Sequence, residues 1–243
     1  MNIISAKVNL EGNERFFSYR PDSVGDQGVI RQIFVNGDYK IQHWEQGKRF
    51  VEFYRKLSET SASLIIDAGA NIGASAVFFA NIYKNSIVFA IEPDITNWHL
   101  LSLNTNALNC YNFLGAISSE DGELTIVDPG RSDWGFMTKK VGSSDSDGLK
   151  KVESICPASI INHPSVNNAK PLIFKIDIEG GEENLFEGNV DWLKEFPLLI
   201  IELHDWMLPF SGSSKNFIRA AAKYDFDILH RGENIFLFNR DIL

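Results

Sequence analysis

Leu64-Ile65-Ile66-Asp67-Ala68-Gly69-Ala70-Asn71-Ile72-Gly73 is the stretch whose reading decides the fold. An apolar run reads as a short buried strand, Gly69 as a tight turn, and the residues from Ile72 onward as the start of a helix. In an open α/β sheet, this strand-to-helix junction is where a nucleotide-like ligand binds. The dinucleotide fingerprint Gly-x-Gly-x-x-Gly is not met here. Counted from Gly69, its later glycine positions hold Asn71 and Ala74. Asp67 brings negative charge to the strand end, and Asn71 puts a side chain where a pyrophosphate would press on backbone. Both features disfavour a diphosphate and suit a cationic ligand without phosphate, such as S-adenosylmethionine.

Outward from this point the strand–helix alternation continues. Strands are expected at 64–68, 87–91, 111–117, 123–127, 172–178 and 198–203, and helices at 72–83, 95–108, 182–186 and 214–223. A closing hairpin pairs 227–230 with 235–238 across Arg231-Gly232-Glu233-Asn234. Alternation with buried strands implies an α/β fold: a three-layer, mostly parallel sheet with an antiparallel edge hairpin. Residues 1–60 read as an α+β extension with a hairpin about Gly12-Asn13, a helix at 24–35 capped by Ser23, and a second helix at 44–57. We expect this extension to cover the acceptor site of the domain that spans 61–243. Residues 130–148 are polar and glycine-rich, with Trp134 and Phe136 embedded, and read as a mobile loop or lid.

The 243 residues are 44% apolar, enough for a full-sized core without a metal or disulfide staple. The balance of 23 basic to 32 acidic residues, a net charge of −9, argues against a nucleic-acid substrate. Cys110 and Cys156 read as reduced thiols. No signal peptide pattern opens the chain, and the longest apolar run, 196–203, is far short of the roughly 20 residues a membrane span takes. The expectation is a cytoplasmic protein that engages neither membrane nor nucleic acid; its oligomeric state is not legible.

Three further clusters carry chemistry. Glu92-Pro93-Asp94 ends the second strand, 25 residues after Asp67. A carboxylate there can accept from both hydroxyls of a ribose, whichever nucleoside carries it, and Asp94 can cap the next helix. Lys175-Ile176-Asp177-Ile178-Glu179-Gly180-Gly181-Glu182 crowds charge onto the carboxyl end of an apolar strand, the ligand edge of such a sheet. Lys175 and Asp177 share one face of that strand. Glu202-Leu203-His204-Asp205 ends the next strand, and His204 is the only one of five histidines at the carboxyl end of an expected core strand. An imidazole there suits a general base. Asp177, Glu202 and His204 could also hold a divalent cation that acidifies a hydroxyl, although a metal-free site is the expectation.

Together these stretches resemble the FkbM-type family of S-adenosylmethionine-dependent methyltransferases. The carriers are 66–73, 89–93, 104–109, 116–122, 174–182, 185–188 and 201–204. The resemblance implies a Rossmann-like, seven-stranded methyltransferase sheet. It also implies O-methylation of a hydroxyl on a saccharide or small natural product. By the same resemblance Asp67, Gly69, Ala70, Asn71 and Gly73 surround the methionine part of S-adenosylmethionine, with Asp177 nearby. Glu92 and Pro93 take the ribose, and Ala116 and Ile117 line the adenine. The catalytic candidates are His204, Asp177 and Glu179, with His204 or Asp177 taking the acceptor proton. The rival readings are a nicotinamide-dependent oxidoreductase and a nucleoside-binding module without catalysis.

Overall fold

The computed structural model of the chain describes residues 2–127, 137–140 and 150–243. Its centre is β3 (Ser63–Ala68), buried at every position, as a strand covered on both faces must be. Helix α3 (Ala74–Ile82) leads from it to β4 (Ser86–Glu92), and α4 (Ile95–Asn104) leads on to β5 (Cys110–Leu114). These strands pair in parallel, β3 with β4 and β4 with β5. On the other side of β3 lie β10 (Lys170–Ile176) and β11 (Leu198–Glu202), again parallel. The chain therefore winds outward in two directions from β3. The β3/β10 boundary is the topological switch point, the place where open α/β sheets bind their ligands.

The closing hairpin of β12 (Phe226–Arg231) and β13 (Asn234–Asn239) completes a seven-stranded sheet in the order β12-β13-β11-β10-β3-β4-β5. β13 runs antiparallel to both neighbours. The hairpin is at the sheet edge, as expected, but its antiparallel strand is tucked inside and β12 forms the rim.

The N-terminal segment builds a hairpin from β1 (Ile4–Leu10) and β2 (Asn13–Tyr19). Its turn centres on Glu11-Gly12, one residue earlier than expected, and both have positive φ, as the commonest two-residue hairpin turn requires. Helix α1 (Val24–Ile30) starts at Ser23, whose Oγ accepts from the Asp26 amide, and runs on as a wider π turn, Arg31–Asn36. Helix α2 (Glu45–Ser58) follows. Phe17, Ile33, Tyr39, Ile41 and Phe50 share one core with Ile65, Val77, Phe79, Val88 and Ile200, so the extension closes one face of the sheet. Leu64, Ile66, Phe89, Phe174, Trp192 and Phe217 form the core of the other. Asn104 ties the extension to the glycine turn: its side-chain amide donates to Ser18 O and Ile72 O and its oxygen accepts from Ser18 N.

The strand expected at 111–117 is two strands. After β5, Gly115 turns the chain into β6 (Ala116–Ile117), which belongs to a second sheet of order β6, β9 (Lys151–Ile155), β7 (Gly122–Val127) and β8 (Met137–Lys140). A Cβ at Gly115 would lie 2.3 Å from the Phe113 ring and 2.5 Å from Glu153 O; glycine alone permits that close crossing. β7 (Gly122–Val127) was expected, whereas β9 (Lys151–Ile155) was not. Of the loop expected at 130–148, only β8 (Met137–Lys140), antiparallel to β7, is described; the rest of that expectation lies outside the described residues. Helices α5 (Pro157–Ile161), α6 (Glu182–Leu185) and α7 (Lys215–Ala221) complete the chain. Cys110 and Cys156 are free. Among the described residues no helix is long and apolar enough to cross a membrane.

Candidate active site at the carboxyl edge of the sheet

The parallel register sets Lys175 of β10 directly beside Asp67 of β3. Both side chains are buried, and Lys175 Nζ is 3.2 Å from Asp67 Oδ1 and 3.4 Å from Asp177 Oδ2. The same ammonium donates to the Gly69 carbonyl at 2.6 Å. Burial alone would strip its proton, but Asp67 and Asp177 outweigh that and raise its pKa above the usual lysine value. The other Asp67 oxygen accepts from Ser75 Oγ at 2.6 Å. Asp67 is thus fully buried beneath the turn, with Lys175 between it and the crevice. The negative charge read from Asp67 at the strand end is in fact compensated there by the lysine.

The glycine turn is held to β4, with Gly69 N and Ala70 N both donating to Ile91 O. Gly69 adopts φ +76°, and a Cβ on it would fall 1.7 Å from the Asp177 carbonyl oxygen. The two strand ends at the switch point can approach this closely because Gly69 lacks a side chain. Asn71 has φ +49° and caps its own turn, its Oδ1 accepting from Ile72 N. Gly73 (φ +90°) packs against Leu101. Glu92 is nearly buried and spans two turns, one carboxylate oxygen accepting from Asn71 N at 2.8 Å and the other from Asp94 N at 2.9 Å. Burial pushes its carboxyl up to about 7, although those two amides pull the other way. Asp94 caps α4, accepting from Thr96 N and Asn97 N, and Pro93 between them is half-buried. Ala116 and Ile117, buried in β6, follow Gly115, whose amide donates to Glu92 O.

The second half of the site surrounds His204. This imidazole is buried, with Nδ1 2.7 Å from Oε1 of the equally buried Glu182. Its Nε2 faces Glu202 Oε1 at 3.5 Å, and Asp177 Oδ1 and Glu179 Oε2 at 3.7 Å each. Burial disfavours its charge, but Glu182, Glu202 and Asp177 outweigh that and push its pKa up to about 11. The imidazole therefore carries its proton at neutral pH, which a general base cannot do. Glu179 sits in a left-handed turn (φ +51°) just past β10. Burial and the neighbouring Asp177 charge push its carboxyl up to about 7. Burial likewise raises the Glu202 carboxyl.

Asp67, Glu92, Asp177, Glu179, Glu202 and His204 thus meet at one sheet edge, as expected. Ala116 and Ile117 approach it from the second sheet. The sequence did not reveal three participants: Ser75, Glu182 as the partner of His204, and Tyr39. Tyr39 comes from the extension, buried against Phe78 and Phe79. Burial raises its phenol pKa, and the charges of Lys175, Asp177, Asp67 and Glu202 all act on it. No sequence signal marks Tyr39, since nothing about its neighbours implies that the chain returns to the crevice there.

A seven-stranded sheet of this order, parallel but for the strand of its closing hairpin, defines a Rossmann-like α/β fold. A family model described as the methyltransferase FkbM domain matches residues 67–228, and the chain belongs to that family of S-adenosylmethionine-dependent methyltransferases. No curated protein matches. The chain is also similar, at low identity, to solved structures. One is a methyltransferase from Geobacter sulfurreducens: 14% identity, 91% of this chain and 92% of that one covered, TM-score 0.39. Another is a SAM-dependent O-methyltransferase from Thermotoga maritima: 12% identity, 96% and 77% covered, TM-score 0.38. A third is a precorrin-6y C5,15-methyltransferase from Geobacter metallireducens: 9% identity, 79% and 86% covered, TM-score 0.38.

Proposed function

We propose that this protein transfers the methyl group of S-adenosylmethionine to a hydroxyl of a saccharide or small natural product. The observation that carries the reading is the set of carboxylates of Asp177, Glu179 and Glu202 around His204, beside the switch-point crevice. The sulfonium is already an activated donor, so holding donor and acceptor in line supplies much of the rate. A hydroxyl must still lose its proton as the new C–O bond forms. A carboxylate cluster can receive it, and Glu179, ionising near neutrality, is the best matched member. His204 then acts as the charge that holds the cluster together.

In this reading the donor lies along the turn Gly69, Ala70, Asn71 and Gly73. Its ammonium meets Asp177, which is partly open to solvent, with Asp67 acting from behind through Lys175. Each Glu92 oxygen keeps a free lone pair for a ribose hydroxyl, Pro93 flanks it, and Ala116 and Ile117 provide the apolar adenine wall. Residues 1–60 cover the acceptor side, a role supported by Tyr39.

Two variants test the donor half. Gly69→Ala forces a methyl group into the Asp177 carbonyl and strains a φ > 0 position by about 1–3 kcal/mol. It should abolish measurable S-adenosylmethionine binding by calorimetry while far-UV circular dichroism still reports a folded chain. Glu92 adds a pH dependence. Its folded pKa of about 7 exceeds the ordinary carboxyl value of 4.5, so its contribution to stability is present below 4.5 and is lost as pH rises through 7. Donor binding to the ionised form should run the other way, with affinity rising roughly tenfold from pH 6 to pH 8. In Glu92→Gln that rise should be absent; a rise that persists removes Glu92 from the ribose site.

The reaction itself is tested by incubating the full chain with radiolabelled S-adenosylmethionine and a panel of saccharide and polyol acceptors. Label in an alkali-stable ether, with one S-adenosylhomocysteine released per transfer, is the expected result. Donor binding with no S-adenosylhomocysteine formed from any acceptor would favour the non-catalytic module instead.

A further inference from the structure

His204 is only 1% exposed, yet its two ring nitrogens have very different surroundings. Nδ1 is fixed by Glu182 at 2.7 Å, and the same Glu182 oxygen also accepts from Gly180 N. Nε2 faces oxygens of three carboxylates at 3.5–3.7 Å, all beyond the usual N–H···O range of about 2.7–3.2 Å. Nε2 is held among them by charge attraction and a long contact to Glu202. One oxygen each of Asp177 and Glu179 and a nitrogen of His204 lie within 4.8 Å of one another.

We propose that Asp177, Glu179 and His204 bind one divalent cation, with Glu202 at the margin of the site. Donors that share a cation through bonds of about 2.0–2.4 Å stand roughly 3–4 Å apart, the spacing seen around Nε2. Glu182 supplies the support that such a site needs: with a carboxylate fixing Nδ1–H, the ion displaces the Nε2 proton that the metal-free imidazole carries, and the freed Nε2 lone pair points at the ion. Lys175 reaches only the far oxygen of Asp177, Oδ2 at 3.4 Å, and is otherwise engaged by Asp67 and the Gly69 carbonyl, so Asp177 Oδ1, the oxygen beside His204, stays available to the ion. One imidazole with carboxylates favours manganese, zinc or iron over calcium, which prefers oxygen alone.

The ion's binding is independent of the proposed reaction; only its use rests on the reading as an O-methyltransferase. There, an acceptor hydroxyl entering as a further ligand becomes more acidic. Its O–H bond breaks and the proton passes to Glu202, since Glu179 is now a ligand. The oxygen bonds to the methyl carbon, the S–CH3 bond breaks, and S-adenosylhomocysteine leaves as a neutral thioether.

The test is titration of manganese(II) into the metal-free full chain, followed by the paramagnetic resonance of the free ion. Calorimetry with zinc(II) and magnesium(II) accompanies it. One bound ion per chain is expected. Asp177→Asn, Glu179→Gln and His204→Gln should each weaken it at least tenfold, and Glu182→Gln by about 10–100-fold. The exposed neighbour Glu183→Gln should leave it unchanged. Circular dichroism establishes that each variant is folded, and S-adenosylmethionine binding does so for all but Asp177→Asn, whose side chain meets the donor. Absence of saturable binding for all three ions, in protein that still binds S-adenosylmethionine, overturns the cation site and leaves the methyltransferase reading intact. Binding that none of the ligand variants alters overturns it too. One bound ion, lost in those variants, with no S-adenosylhomocysteine formed from any acceptor, upholds the site and counts against the reaction.

Discussion

Lys175→Met should be the most damaging substitution to the fold, costing about 3–5 kcal/mol of stability in urea denaturation. The lysine lies between two carboxylates, one fully buried, and donates to the turn carbonyl that shapes the crevice. Removing it leaves Asp67 charged in a dry interior with Ser75 as its only hydrogen-bond donor among the described residues. The double variant Lys175→Met/Asp67→Asn should recover much of the loss, because removing both charges spares the interior an unpaired ion. If the double variant is no more stable than Lys175→Met, the ion pair does not explain the cost.

Glu179→Gln should have the largest effect on turnover, lowering kcat by about 10²–10⁴-fold while the chain stays folded and binds S-adenosylmethionine normally. The substitution keeps size and shape and removes only the charge that faces His204 Nε2. The split between binding and rate is the discriminating feature. Unchanged kcat removes Glu179 from the reaction, both as proton acceptor and as cation ligand, whereas lost donor binding would place it on the cofactor side instead.

Much of this edge was legible because apolar runs ended in charge. Asp67, Glu92, Asp177 and Glu202 each terminate a run of buried residues, and a parallel sheet gathers such ends along one rim. The glycine turn was legible for the same local reason: Gly69 and Gly73 both adopt φ values that other residues resist. Pairing across the sheet was not. Lys175 meets Asp67 only because β10 inserts beside β3 in that register, and no local pattern encodes a partner 108 residues away. The role of His204 changed for a related reason. Its position on the strand end was readable, but its protonation depends on Glu182 and Glu202 folding around it. Tyr39 comes within range of these charges through packing of an extension that carries no motif. β9 was missed because its short amphipathic run, between polar neighbours, earns its place only by pairing with β6 and β7.

The central claim is that the crevice between β3 and β10 holds a sulfonium nucleoside and not a dinucleotide. Calorimetry of the full chain against S-adenosylmethionine and, separately, against NAD+ tests it most directly. The account predicts one S-adenosylmethionine bound per chain, lost in Gly69→Ala, and no heat with NAD+. Saturable NAD+ binding that Gly69→Ala abolishes, with none for S-adenosylmethionine, would contradict it.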